Sequence, residues 1–123
     1  MPTVYTNAGK ALTTARIKGT GSEPLFLAWG TGAGTAAITD TTLFTEASEA
    51  RVSGTSSQVL TTVANDTYQV VGTMTVSGTG KTITNAGLFD ASTVGNLFMK
   101  GDFTGIVLAV AESISFTMKV TFS

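Results

Sequence analysis

The chain has 123 residues, of which 42% are hydrophobic and only 12% charged, with a formal net charge of −1 and neither cysteine nor histidine. That length supports one hydrophobic core rather than two. Without cysteine there is no disulfide framework, no thiolate chemistry and, with histidine also missing, no structural zinc site, while the seven dispersed Lys and Arg residues offer no converging basic patch for nucleic acid.

A charged share about half the usual one leaves Thr, Ser, Gly and Ala to build the surface. Such a surface has little electrostatic protection against self-association, which points to copies of the chain or a partner covering it; the alternative is a monomer with a neutral, hydroxyl-rich surface. Met1-Pro2-Thr3-Val4-Tyr5 lacks the basic start and apolar run of a secretory signal. The longest strongly apolar run, 106–111, is too short to span a bilayer. Synthesis in a cytoplasm and no membrane partner are the expectations.

Residues 1–5 read as an arm carrying Val4 and Tyr5, apolar side chains that fray unless they dock. Residues 6–18 read as the one substantial helix. Ala8, Ala11, Leu12 and Ala15 recur at helical spacing, Thr6 or Asn7 is available as N-cap, and Gly19 follows the last turn. Arg16 and Lys18 complement the dipole at its C-terminal end. The apolar stripe is thin and mostly alanine, so this helix is expected to lie flat and close on another surface.

After a loop at 19–24 the pattern becomes that of strands. Residues 25–29 form the first buried one, stopped by Gly30-Thr31-Gly32-Ala33-Gly34, with Trp29 expected in the core and its indole N–H on a carbonyl. Residues 39–49 suit either a helical turn after Thr39 or Asp40, or an extended crossing loop. Strands are expected at 50–53 and 58–63 around a turn at 54–57, with a second turn at Asn65-Asp66. In 68–76, Tyr68, Val70, Met74 and Val76 share a face on which Gly72 is a thin spot.

Further strands read at 81–89, 96–103 and 106–111, the last two parted by Gly105. From 113 to 123 the alternation is unbroken: Ile114, Phe116, Met118, Val120 and Phe122 line one face, and Ser, Thr and Lys line the other. About eight short strands at such spacing predict a mainly β fold, an antiparallel jelly roll or β-sandwich with one short N-terminal helix. The whole chain, 1–123, reads as one domain with the sandwich beginning at residue 25. A parallel α/β fold is excluded because no later segment could serve as a crossover helix.

Three motifs resemble chemistry and fail on inspection. Gly78-Thr79-Gly80-Lys81-Thr82 looks like the end of a phosphate-binding loop, but Thr75 stands where that motif needs glycine, and a strand pattern follows where it needs a helix. Gly30-Thr31-Gly32-Ala33-Gly34 has the wrong glycine spacing for a dinucleotide loop and reads as a flexible one. Glu46 and Glu49 are the only close carboxylate pair. Acid and base work would need a cleft that fixes them and shifts one pKa; in this polar stretch they read as solvated charges or a partner for Arg51. A hydrolase using them is the enzymatic reading, and it is not preferred. No spaced Asp-x-Asp loop supports calcium.

Asn85-Ala86-Gly87-Leu88-Phe89-Asp90-Ala91-Ser92 followed by Gly95-Asn96-Leu97-Phe98-Met99-Lys100-Gly101-Asp102-Phe103 resembles a two-strand unit of bacteriophage virion proteins, found in capsid decoration (cement) proteins and in tail-fibre or tail-collar domains. Tyr5-Thr6-Asn7-Ala8-Gly9-Lys10, Ile17-Lys18-Gly19 and Ala28-Trp29-Gly30-Thr31-Gly32 resemble small phage proteins of this length. The resemblance implies a virion protein, made in a bacterial host cytoplasm, that binds the outer capsid surface and bridges major capsid protein subunits. It implies a homo-oligomer, dimer or trimer with the trimer favoured, and neither enzymatic activity nor a cofactor. Pro2, Val4 and Tyr5 are the expected partner contacts. The alternative is a tail-fibre or tail-collar module that binds other tail proteins or host-surface glycan, with Trp29 and Tyr68 exposed. The single compact domain and the want of a fibrous repeat favour the decoration reading.

Overall fold

The computed structural model describes residues 3–123. In chain order these form β1 (Thr3–Tyr5), α1 (Asn7–Lys18), β2 (Phe26–Gly30), β3 (Val52–Ser53), β4 (Thr55–Val59), β5 (Thr67–Thr75), β6 (Lys81–Phe89), β7 (Leu97–Leu108) and β8 (Ser113–Thr121). The strands make two antiparallel sheets, one ordered β1-β7-β6-β2-β3 and the other β4-β5-β8. The result is a β-sandwich with one short helix near its N-terminus.

Period-two alternation accounts for the core. Leu27 and Trp29 of β2 lie beside Leu88 and Ala86 of β6, and Leu88 lies beside Met99 of β7, so one face of the larger sheet is apolar. It meets Val70 and Met74 of β5 and Met118 and Val120 of β8, all buried. The thin spot at Gly72 is filled by Leu27, whose Cδ1 lies 2.3 Å from where a β-carbon would stand. The opposite face of the larger sheet is buried too: Ala28, Phe89 and Leu97 pack with Leu43 under the long loop between β2 and β3. Two covered faces explain why β2 and β6 read as nearly continuous buried runs.

The helix is capped as its sequence implies, with Thr6 chosen over Asn7. The Thr6 hydroxyl accepts from the Gly9 N–H at 2.9 Å and donates to the Leu97 carbonyl, tying the cap to β7. Gly19 closes the other end at φ 93°, in the left-handed region that glycine tolerates. Close packing rests on Gly9, where a β-carbon would collide with the Phe98 carbonyl oxygen.

Three expectations about strand limits are corrected. Residues 54–57 are not a turn: only Gly54 interrupts the chain as it passes from β3 in one sheet to β4 in the other, and Ser56 and Ser57 pair with Val70 and Gln69. Residues 60–63 are loop, with Leu60 and Val63 exposed; hydroxyl residues took the strand because β5 was there to pair with them. Gly105 does not end a strand, for β7 runs through it, and the Thr82 methyl lies 2.6 Å from where its β-carbon would be. Residues 39–49 are the extended crossing loop, touching the sheet through the bridge from Gly30 to Glu46.

Candidate interaction surface

The Gly-rich segment after β2 is not a free loop. Thr31 and Gly32 donate backbone hydrogen bonds to the Thr45 and Phe44 carbonyls at 3.0 and 2.9 Å, and the Thr84 hydroxyl donates to the Gly32 carbonyl. Asn85, fully buried, completes the fastening: it accepts from the Phe44 N–H and donates to the Phe44 carbonyl, both at 3.0 Å. On the other side of the sheet's turn, Lys81 enters β6 directly, so the Gly78-Thr79-Gly80-Lys81-Thr82 stretch leads into a strand and offers no helix N-terminus to a phosphate.

The two close glutamates are each engaged by a different cation. Glu46 accepts from Arg51 Nε and Nη2 at 2.9 and 3.0 Å, and the same guanidinium lies 3.6 Å from the Phe89 ring centroid while donating to the Ala91 and Val94 carbonyls. Glu49 is no solvated charge, its side chain being only 6% exposed. It accepts from Trp29 Nε1 at 3.0 Å, the Ser77 N–H at 3.0 Å and Lys81 Nζ. Burial alone would raise its carboxyl, but these donors outweigh it, Lys81 foremost, and hold its pKa down at about 2. Trp29 therefore sits wholly in the core with a carboxylate, not a carbonyl, on its indole N–H.

Sequence reasoning passed over a second buried charge. Lys100 on β7 is 1% exposed, donates to Asp40 Oδ2 at 3.0 Å and to the Thr42 carbonyl at 2.8 Å, and lies 3.2 Å from the Phe44 ring centroid. The Ala37 N–H and Lys100 hold the Asp40 carboxyl below its ordinary value against the opposing effect of desolvation. Like Glu49, this pair fastens the crossing loop to the sheet.

Val4 and Tyr5 are docked on their own chain. They pair with Lys100 and Met99, and the Tyr5 ring packs 5.2 Å from Phe98 and 5.8 Å from Phe122, centroid to centroid, while its hydroxyl bonds to that of Thr13. Pro2 lies outside the described residues. Tyr68 is half-buried and donates to Glu23 and to the Pro24 carbonyl; burial and the Glu23 charge push its hydroxyl above its ordinary pKa. With Trp29 buried and Tyr68 so held, an exposed aromatic glycan platform made of these two residues is not formed.

The surface that is built as a surface is the outer face of β4-β5-β8. In register across the three strands it carries Thr55, Val71 and Thr117, then Ser57, Gln69 and Lys119, then Val59, Thr67 and Thr121, and beyond them Thr73 beside Ser115 and Thr75 beside Ser113. Cross-strand hydroxyl bonds link Thr73 to Ser115 at 2.8 Å, Thr75 to Ser113 at 2.6 Å and Thr67 to Thr121 at 2.9 Å. Lys119 is its one charge. These contacts fix six hydroxyls, of which Thr67 is buried beneath the face and the others lie on it, so a partner would not have to order those again on binding.

Among the described residues no three His, Cys, Asp or Glu come together as metal ligands, and no helix is long and apolar enough to cross a membrane. No protein-family model, curated protein or solved structure matches the chain.

Proposed function

We propose that this protein is a structural component of a bacteriophage virion that binds the outer surface of the capsid and stabilises it by bridging major capsid protein subunits. The observation that carries this is the outer face of β4-β5-β8, an ordered array of hydroxyls with a single charge. A face of this kind suits broad, dry contact with another protein, because little charge must be desolvated and few side chains must be immobilised. The resemblance supports the same conclusion: Asn85-Ala86-Gly87-Leu88-Phe89-Asp90-Ala91-Ser92 and the strand after it form the β6–β7 hairpin, whose turn is held by Asp90 accepting from the Asn96 backbone and side-chain N–H groups. These residues build scaffold and assign no reaction. Val4 and Tyr5, at the edge of the larger sheet, remain candidate partner contacts.

Co-sedimentation with capsid shells assembled in the absence of this protein tests the proposal. The protein is expected to pellet with shells and to saturate at a fixed copy number. Binding to isolated tails or host cells, with none to shells, would transfer the assignment to a tail-fibre or tail-collar module.

A further inference from the structure

Strand β8 ends its sheet, and its free edge is fully open. Phe122 donates to the Asp66 carbonyl and Val76 to the Glu112 carbonyl, both at 2.9 Å, which fixes the phase of the antiparallel ladder. Hydrogen-bonded pairs alternate with non-bonded ones, so Val120, Met118, Phe116 and Ile114 turn their N–H and C=O groups toward β5. Ser113, Ser115, Thr117, Lys119 and Thr121 turn theirs away. No strand lies on that side, and among the described residues no other segment bonds to these groups. Of the usual guards only one is present, the charge of Lys119: β8 has no proline, its pairing has no bulge, and its inward residues Ile114, Phe116, Met118 and Val120 are all apolar. Beside it lies an open, mainly apolar cleft of about 770 Å³ whose lining includes Met99, Phe103, Ile106, Phe116 and Met118, with Lys100 and Lys119 also on it.

We propose that β8 pairs antiparallel with β8 of a second copy across a twofold axis at Thr117. The strand's own sequence selects this partner and register. Centring on Thr117 overlaps all nine residues of both strands and places Ser113 opposite Thr121 and Ser115 opposite Lys119, each pair made of residues whose backbone groups face outward. Phe116 then meets Met118 and Ile114 meets Val120, closing the apolar cleft from both sides. A register centred on Lys119 would set like charges opposite one another and shorten the overlap. The pairing is isologous, so it closes at two copies. It joins two hydroxyl faces into one six-stranded sheet. The inference stands on the edge alone and does not depend on the capsid assignment.

Sedimentation velocity of the full chain tests it with three variants. The wild type is expected to be a dimer. Thr117→Pro removes an N–H that the ladder to β5 does not use, and is expected to give a folded monomer by circular dichroism. The chain has no native cysteine, so Thr117→Cys, mildly oxidised, is expected to cross-link to a dimer while Ser115→Cys, facing Lys119, stays largely uncross-linked. Should Thr117→Pro fail to fold, the contrast between the two cysteine variants decides. A wild type that is monomeric at every concentration or trimeric, or cross-linking that is equal at the two positions, overturns the proposal.

Discussion

Glu49 shows how much one side chain can hold in a protein with few charges. It joins Trp29, twenty positions away, to Lys81, thirty-two positions away, and to the Ser77 backbone. Glu49→Gln keeps the shape but leaves Lys81 without its counter-charge, and is expected to cost about 2 kcal/mol at neutral pH in urea unfolding. The pH dependence has a definite sign. The folded carboxyl sits at about 2 against an ordinary 4.5, so its stabilisation is complete above 4.5 and is lost as pH falls toward 2. The gap between wild type and Glu49→Gln should therefore close across that window; a gap independent of pH would refute the role given to the ion pair. Asp66, held below its ordinary value by the N–H groups of Val63, Thr62 and Thr61, loses those bonds when it is protonated in acid, equally in both proteins, and so leaves the difference between them unchanged. None of this was legible in the sequence, where Glu49 stands in a polar stretch. Its partners come from distant strands, and only the folded sheet brings them to it.

The elements follow local pattern where a single face is buried and depart from it where tertiary pairing decides. The alternation in β8 and the capping signals of α1 could be read directly, because burial on one side and a capping hydroxyl act over a few residues. Breaks inferred from small residues were less secure. Gly105 reads as an end but serves close packing against Thr82, and the Ser-rich stretch after Gly54 reads as a turn but is held in β4 by β5. Thr6 combines both kinds of information, being a local cap and a long-range tie to Leu97. Thr6→Ala removes the two bonds from a fully buried site and is expected to cost about 2 kcal/mol by thermal or urea unfolding. Thr6→Ser, which keeps the hydroxyl, should recover most of that loss. If Thr6→Ala is neutral, the cap is not what fastens the helix to β7.

The whole molecule divides its work between two sheets. The five-stranded sheet is covered on both faces around β2 and β6, and Lys81 and Lys100 on its strands, with Glu49 and Arg51 of the long loop, fasten that loop down. The three-stranded sheet keeps its outer face free and has an open edge at β4 and at β8; the outer face and the β8 edge carry the proposed contacts. Composition foretold such a surface from the scarcity of charge, but which strands would present it depended on how they were sorted between the sheets. On the outer face, Ser57 of β4 and Thr73 of β5 are exposed, and neither is on the open edge strand β8 itself, although Thr73 bonds to Ser115 of β8. The most direct measurement is a titration of undecorated capsid shells with wild type and with Ser57→Glu/Thr73→Glu, after circular dichroism has established that both are folded. The wild type is predicted to saturate at a fixed copy number per shell, and the variant to bind at least tenfold more weakly, about 1.4 kcal/mol. Equal binding by the two proteins, or no binding by the wild type, would contradict the assignment of the hydroxyl face to capsid contact.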